Sequence, residues 1–132
     1  MKGTGLAVVV VHWNSPADCA KTVDQLRASS VPVRITVVDN ASDPTNRATL
    51  ADLLADLAEV EVLDCPTNLG FGPGANIGLE RFLADHDGGE WVALVPHDVQ
   101  VAPRRSSRCL PLHGRSPMRA CVALMSAMPW CR

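Results

Sequence analysis

No run in this 132-residue sequence approaches the roughly 20 apolar residues that span a bilayer. A secretion signal is missing too. Lys2 and the apolar run Leu6–Val11 have its outline, but the run is short, lacks a small-residue cleavage site and leads straight into His12-Trp13-Asn14. It reads better as a buried strand. The five cysteines contain no CxxC pair and no zinc-ligand spacing, which disfavours a zinc site built from them with His113. An odd count without a secretion signal points to reduced thiols in a cytosolic setting. A large excess of either charge is lacking: a formal net of -2 gives no argument for nucleic acid or an anionic membrane as partner. The last absence is local. Residues 104–132 contain six arginines and no acid, whereas all 14 Asp and Glu lie before them.

What is present suits one folded domain. Hydrophobic residues make up 47% of the chain, enough for a single buried core at this length. Leu6–Val11 is apolar on both faces and mostly β-branched, as a central parallel strand requires. Ser15-Pro16-Ala17-Asp18 follows, with a capping residue, proline in the first helical position and an acid in the first turn. Cys19, Val23 and Leu26 then fall on one helical face. Val33–Val38 forms a second strand, and the stripe Leu50, Leu53, Leu54 and Leu57 a second helix. Val60–Leu63 makes a short third strand. The glycine-rich segment Asn68–Gly74 then reads as a loop before a third helix that uses Leu79, Phe82 and Leu83. Trp91–Val95 is the fourth strand, running into Pro96-His97-Asp98.

Strands alternating with helices predict an α/β, Rossmann-like fold: a parallel sheet of about four strands with helices on both faces. Ligands of such sheets bind beyond the carboxyl ends of the strands. Polar residues gather at those ends, in His12-Trp13-Asn14, Asp39-Asn40, Asp64 and His97-Asp98.

The pattern stops after Pro103. Residues 1–103 read as one unit and residues 104–132 as an atypical basic tail, in which only Ala120–Met128 is apolar enough to pack, as a short helix. The simultaneous loss of acids and periodicity suggests truncation or translation past a frameshift. Reading the coding DNA for a continuation in another frame tests that expectation.

Three segments carry candidate chemistry. Asp39 ends the second strand, where a carboxylate can accept hydrogen bonds from a base or ribose, or can simply form a turn or cap. Gly70, Gly72, Gly74 and Gly78 precede and enter a helix start, where backbone can approach phosphate closely; a ligand-free turn is the other reading. Asp98, beside His97, stands where a carboxylate could hold Mg²⁺ or Mn²⁺, ions that take few protein oxygens and complete their shell from phosphates. By itself Pro96-His97-Asp98 could equally be a turn.

In order and spacing, Val8–Ser15, Val37–Ser42, Asn68–Gly78 and Leu94–Asp98 resemble the inverting family 2 glycosyltransferases with a GT-A fold, above all rhamnosyltransferase-like members of cell-envelope synthesis. The resemblance covers roughly residues 5–103 and corresponds to the nucleotide-sugar-binding half. It implies that Trp13, Asn14 and Asp39 hold the base and ribose of a dTDP- or UDP-sugar. It also implies that Asn68, Gly70, Phe71, Gly72 and Asn76 approach the nucleotide and sugar, and that Asp98 holds a divalent cation on the diphosphate. A glycan or lipid-linked acceptor would attack with inversion, in the cytoplasm or at the inner face of the membrane. The family often shows Asn-Pro-Asp or Asp-x-Asp where this chain has Pro96-His97-Asp98, which leaves Asp98 as the one carboxylate there. The general base, worth about 10²–10⁴-fold in rate, comes from the family's second half and has no counterpart here.

Two other readings stay open. Gly70-x-Gly72-x-x-Ala75 matches a dinucleotide fingerprint, and Asp98 stands near the distance expected of a ribose-binding acid, which fits a nicotinamide-dependent oxidoreductase. The short strand-to-glycine turn of such sites is absent. Alternatively, the chain is a non-enzymatic nucleotide-binding fragment whose arginine-rich tail docks a partner. Truncation would also bare a sheet edge and favour self-association.

Overall fold

The computed structural model describes residues 5–85, 91–100 and the backbone of 119–121. Its elements run β1 (Leu6–His12), α1 (Pro16–Arg27), β2 (Val33–Asp39), α2 (Pro44–Leu54), β3 (Val60–Asp64), α3 (Phe71–Ala84), β4 (Trp91–Pro96) and β5 (Arg119–Cys121). They form one sheet in the order β3-β2-β1-β4-β5, with every pairing parallel.

The long apolar run of β1 is explained by its place. It pairs with β2 on one side and β4 on the other, and its alternate residues enter two separate cores. Val8 and Val10 join Cys19, Val23 and Leu26 of α1 and Leu50 and Leu54 of α2. Ala7 and Val9 point the other way, with Val38, Cys65 and Val92, against Ile77, Leu79 and Phe82 of α3. Helices therefore cover both faces, and no strand position of β1 can be polar until its last residue. Burying each such valine contributes about 1.5–3 kcal/mol.

Gly78 sets how closely α3 approaches. A Cβ there would overlap the Val9 side chain and press on Val38 at 3.1 Å. Only hydrogen fits in that space.

Several expectations are met at the level of single residues. Ser15 is the N-cap of α1 with proline just inside it, although the cap is made by backbone alone. Others need correction. Leu53, on the expected stripe of α2, is 48% exposed, and the helix ends at Leu54, before Leu57. The glycine-rich loop is shorter than read: α3 starts at Phe71, so Gly72, Pro73 and Gly74 lie in its first turn. Proline is tolerated there because those N–H groups lack helical partners anyway. The sheet also has a fifth strand. Arg119–Cys121 pairs with Trp91–Ala93, where a short helix beginning at Ala120 was expected, because three residues of strand are too few to show a period. His86 to Glu90, and the rest of the stretch after Gln100, including the expected helix to Met128, lie outside the described residues.

Candidate functional site

In register across the sheet, the last residue of β1 faces the last of β2, and that faces the last of β3: His12 beside Asp39, and Asp39 beside Asp64. The carboxyl edge of the sheet thus begins as a row of ionisable side chains directly above an apolar core.

Two of them are fully buried. The Ser15 backbone N–H donates to His12 Nε2 at 3.1 Å, so that nitrogen carries no proton. The proton sits on Nδ1, which donates to Asp39 Oδ1 at 3.0 Å. Burial holds the imidazole below its ordinary pKa of 6.5, against the opposing pull of Asp39. Asp39 collects more partners. Ser42 donates its hydroxyl to the same Oδ1, and Arg47 Nε donates to Oδ2 at 3.0 Å. Burial alone would raise the carboxyl pKa, but the hydrogen bonds from Ser42, His12 and Arg47 outweigh it and lower the value. Asp39 is therefore an ionised, fully partnered carboxylate with no exposed surface. Arg47 also lies 3.7 Å from Asp64 Oδ1 and is itself 40% exposed, so it closes the network on the solvent side.

The loops above the strands are stitched to one another. Asn14, in the left-handed region at φ 49°, accepts the Asp43 N–H at 2.8 Å through Oδ1 and donates its own N–H to Ser42 Oγ at 2.9 Å. Asn40 donates its backbone N–H to His12 O at 2.8 Å and its side-chain amide to Gly70 O at 2.9 Å. Asn68 Oδ1 accepts the Gly70 N–H, and Gly70 itself adopts φ 94°, a conformation that favours glycine. Trp13, Asn14, Asp39, Asn68 and Gly70 are thereby brought to one edge, tied through Asn40 and Ser42.

On the other side of β1, His97 N–H donates to Val11 O at 3.2 Å, and the His97 ring meets the His12 ring edge-on at 5.6 Å between centroids. His97 is half-buried, with its ring against that of His12. Asp98 follows it, exposed on the turn. Trp13, Phe71, Gly72, Asn76 and Asp98 all present surface at this edge.

No group of three or more His, Cys, Asp and Glu that could hold a metal is found among the described residues. A single exposed carboxylate suits only a hard cation that takes its remaining oxygens from a diphosphate and water, and Asp98 fits that description.

His12, Ser42 and Arg47 were not nominated from sequence. His12 had a signal: a polar residue ending an apolar run, one position before Trp13. Arg47 had none, because its partner lies on another element.

The family described as Glycosyl transferase family 2 matches residues 7–125. The chain belongs to that family. No curated protein matches it in sequence. Among solved structures, S. aureus TarS 1–349 aligns at a TM-score of 0.58 and 23% identity, over 71% of this chain and 27% of that one. The same protein in complex with UDP-GlcNAc gives 0.57 and 25%, over 71% and 26%. The mannosyltransferase PcManGT from Pyrobaculum calidifontis, in complex with GDP-Man and Mn²⁺, gives 0.65 and 15%, over 79% and 30%. This family 2 chain therefore spans less than a third of the length of these structures and shares their fold, the Rossmann-like half of a GT-A domain. The dinucleotide reading is not favoured: residues 65–70 separate β3 from α3, where a fingerprint turn would be tight.

Proposed function

We propose that this chain binds the donor of a glycosyl transfer, a nucleoside diphosphate sugar, at the carboxyl edge of its sheet. The observation that carries the reading is the convergence of four strand ends there, with buried Asp39 and exposed Asp98 on either side of His12. Trp13 and Asn14 face the base and ribose. Asp39 acts with Arg47, which covers it and must turn aside for direct contact. The start of α3, with Gly70, Phe71, Gly72 and Asn76, lies against the diphosphate and sugar, where free helix N–H groups favour negative charge. Asp98 would hold Mg²⁺ or Mn²⁺. When bound, such an ion neutralises charge on the leaving nucleoside diphosphate.

Family resemblance supports a dTDP- or UDP-sugar, rhamnosyltransferase-like specificity, and inverting transfer to a glycan or lipid-linked acceptor in envelope synthesis, in the cytoplasm or at the inner membrane face. Residues 1–103 act as the donor-binding unit, and the general base lies elsewhere.

Calorimetric titration of the whole chain with UDP, dTDP, GDP and NAD, with and without Mn²⁺, tests the proposal. One diphosphate should bind more tightly with Mn²⁺, and Asp98→Ala should remove that increment. A folded chain that binds none of the diphosphates, or prefers NAD, overturns it.

A further inference from the structure

The turn carrying Asp98 is held by a residue far away in sequence. Thr22 lies within α1 and is 1% exposed. A threonine inside a helix ordinarily turns its hydroxyl to the carbonyl one turn back. Thr22 instead donates across the core, its one hydroxyl proton shared between His97 O, 2.7 Å from Oγ1, and Val99 O, at 3.0 Å. Those two carbonyls flank Asp98. Within the turn itself, the backbone bond from Val99 N–H to Pro96 O is long, at 3.4 Å. On its β1 side the turn is fixed by His97 N–H on Val11 O. On its α1 side it is fixed by the Thr22 hydroxyl.

We propose that Thr22 is a positioning residue for the cation-holding carboxylate: its hydroxyl clamps the backbone on both sides of Asp98 and so sets where that side chain projects. The inference rests on the cation role of Asp98. Its physical basis is that an exposed side chain on a turn has no packing to orient it, so only the backbone beneath can. Thr22 is well placed to do this. Its neighbours on the helix, Cys19, Val23 and Leu26, are locked in the core, and a β-branched side chain has little freedom at χ1. Outer partners that orient a metal ligand typically contribute about 10–100-fold to metal affinity.

The test compares Thr22→Val, which keeps the shape without the hydroxyl, with Thr22→Ser, which keeps the hydroxyl. Mn²⁺ binding to the full chain is measured by the loss of the free-ion paramagnetic resonance signal in the presence of UDP. UDP affinity in EDTA is measured in parallel. The valine variant should bind Mn²⁺ at least about tenfold more weakly, with UDP affinity in EDTA unchanged, and serine should restore wild-type Mn²⁺ binding. A folded valine variant with wild-type Mn²⁺ affinity overturns the proposal, as does a serine variant that fails like valine. Should valine not fold, Thr22→Ala takes its place under the same criteria. Asp98→Ala separates the two levels. If it binds Mn²⁺ like wild type, the cation reading itself fails and the Thr22 proposal goes with it. If it loses Mn²⁺ while Thr22→Val does not, only the positioning role fails.

Discussion

The two flanks of β1 end in opposite ways. Toward β2 the strand ends are sealed: His12 and Asp39 are both 0% exposed, and Ser42 and Arg47 complete their hydrogen bonding. Toward β4 the end is open, with Asp98 exposed on a turn anchored by the His97 and Val99 carbonyls, the His97 ring and the buried Val99 side chain. One flank is a framework that exists before any ligand arrives. The other is a carboxylate left unpaired by the protein's own residues in the described contacts, and it depends on the framework for its position. His12 stands at the junction, bonded to Asp39 and edge-on to His97. Sealed groups should therefore govern stability, and open ones binding.

Removing the hub is the harshest way to break that contrast. Asp39→Ala strips three donors of their acceptor and leaves His12 and Ser42, both buried, with only the long 3.4 Å contact between them to replace it. Breaking a buried charged pair typically costs about 3–5 kcal/mol, and the value here should fall near the lower end because Arg47 reaches water. Urea unfolding checks it. A loss under about 1 kcal/mol, the range of exposed ion pairs, would show that the network is not part of the framework at all.

The same region should also make stability depend on pH, and two groups act in the same direction. Burial lowers the pKa of His12 in the folded chain below its ordinary 6.5, so between those values the unfolded chain binds more protons. Stability is then fully present above 6.5 and falls as the pH drops below it, at up to about 1.4 kcal/mol per pH unit. The hydrogen bonds on Asp39 lower its pKa despite burial, so its contribution is present above the ordinary 3.8 and is lost as the pH falls through the folded value. Urea midpoints between pH 7 and 5 should slope downward in the wild type and flatten in His12→Asn. Equal slopes would remove His12 from the account.

How much of this was legible in the sequence follows from how far each determinant reaches. The strands of the two-faced core were legible, because β1 must be apolar at every position between two layers of helix. Asp39 and Asp98 were legible as residues at strand ends. Their environments were not: beyond nearby Ser42, the partners of Asp39 lie on β1 and α2, and the clamp on Asp98 comes from α1, 75 residues from His97. Local composition misled at Gly72-Pro73-Gly74, which looks like loop but forms a helical turn where Gly74 can lie against Val11 and Asn40. It misled again at Arg119–Cys121, whose strand is defined only by its pairing with β4.

The smallest expected change in stability sharpens the comparison most. Asp98→Ala removes an exposed side chain whose backbone neighbours do the holding, so unfolding free energy should stay within about 0.5 kcal/mol of wild type. Mn²⁺-dependent UDP binding should nevertheless disappear in the same sample. Asp39→Ala shows the reverse weighting, with a large stability loss that precedes any question of binding. A destabilisation of Asp98→Ala above about 1 kcal/mol, comparable to a lost hydrogen bond, would mean that its carboxylate helps to hold the turn. The open flank would then be part of the framework, and the division of labour across β1 would collapse into a single cooperative site.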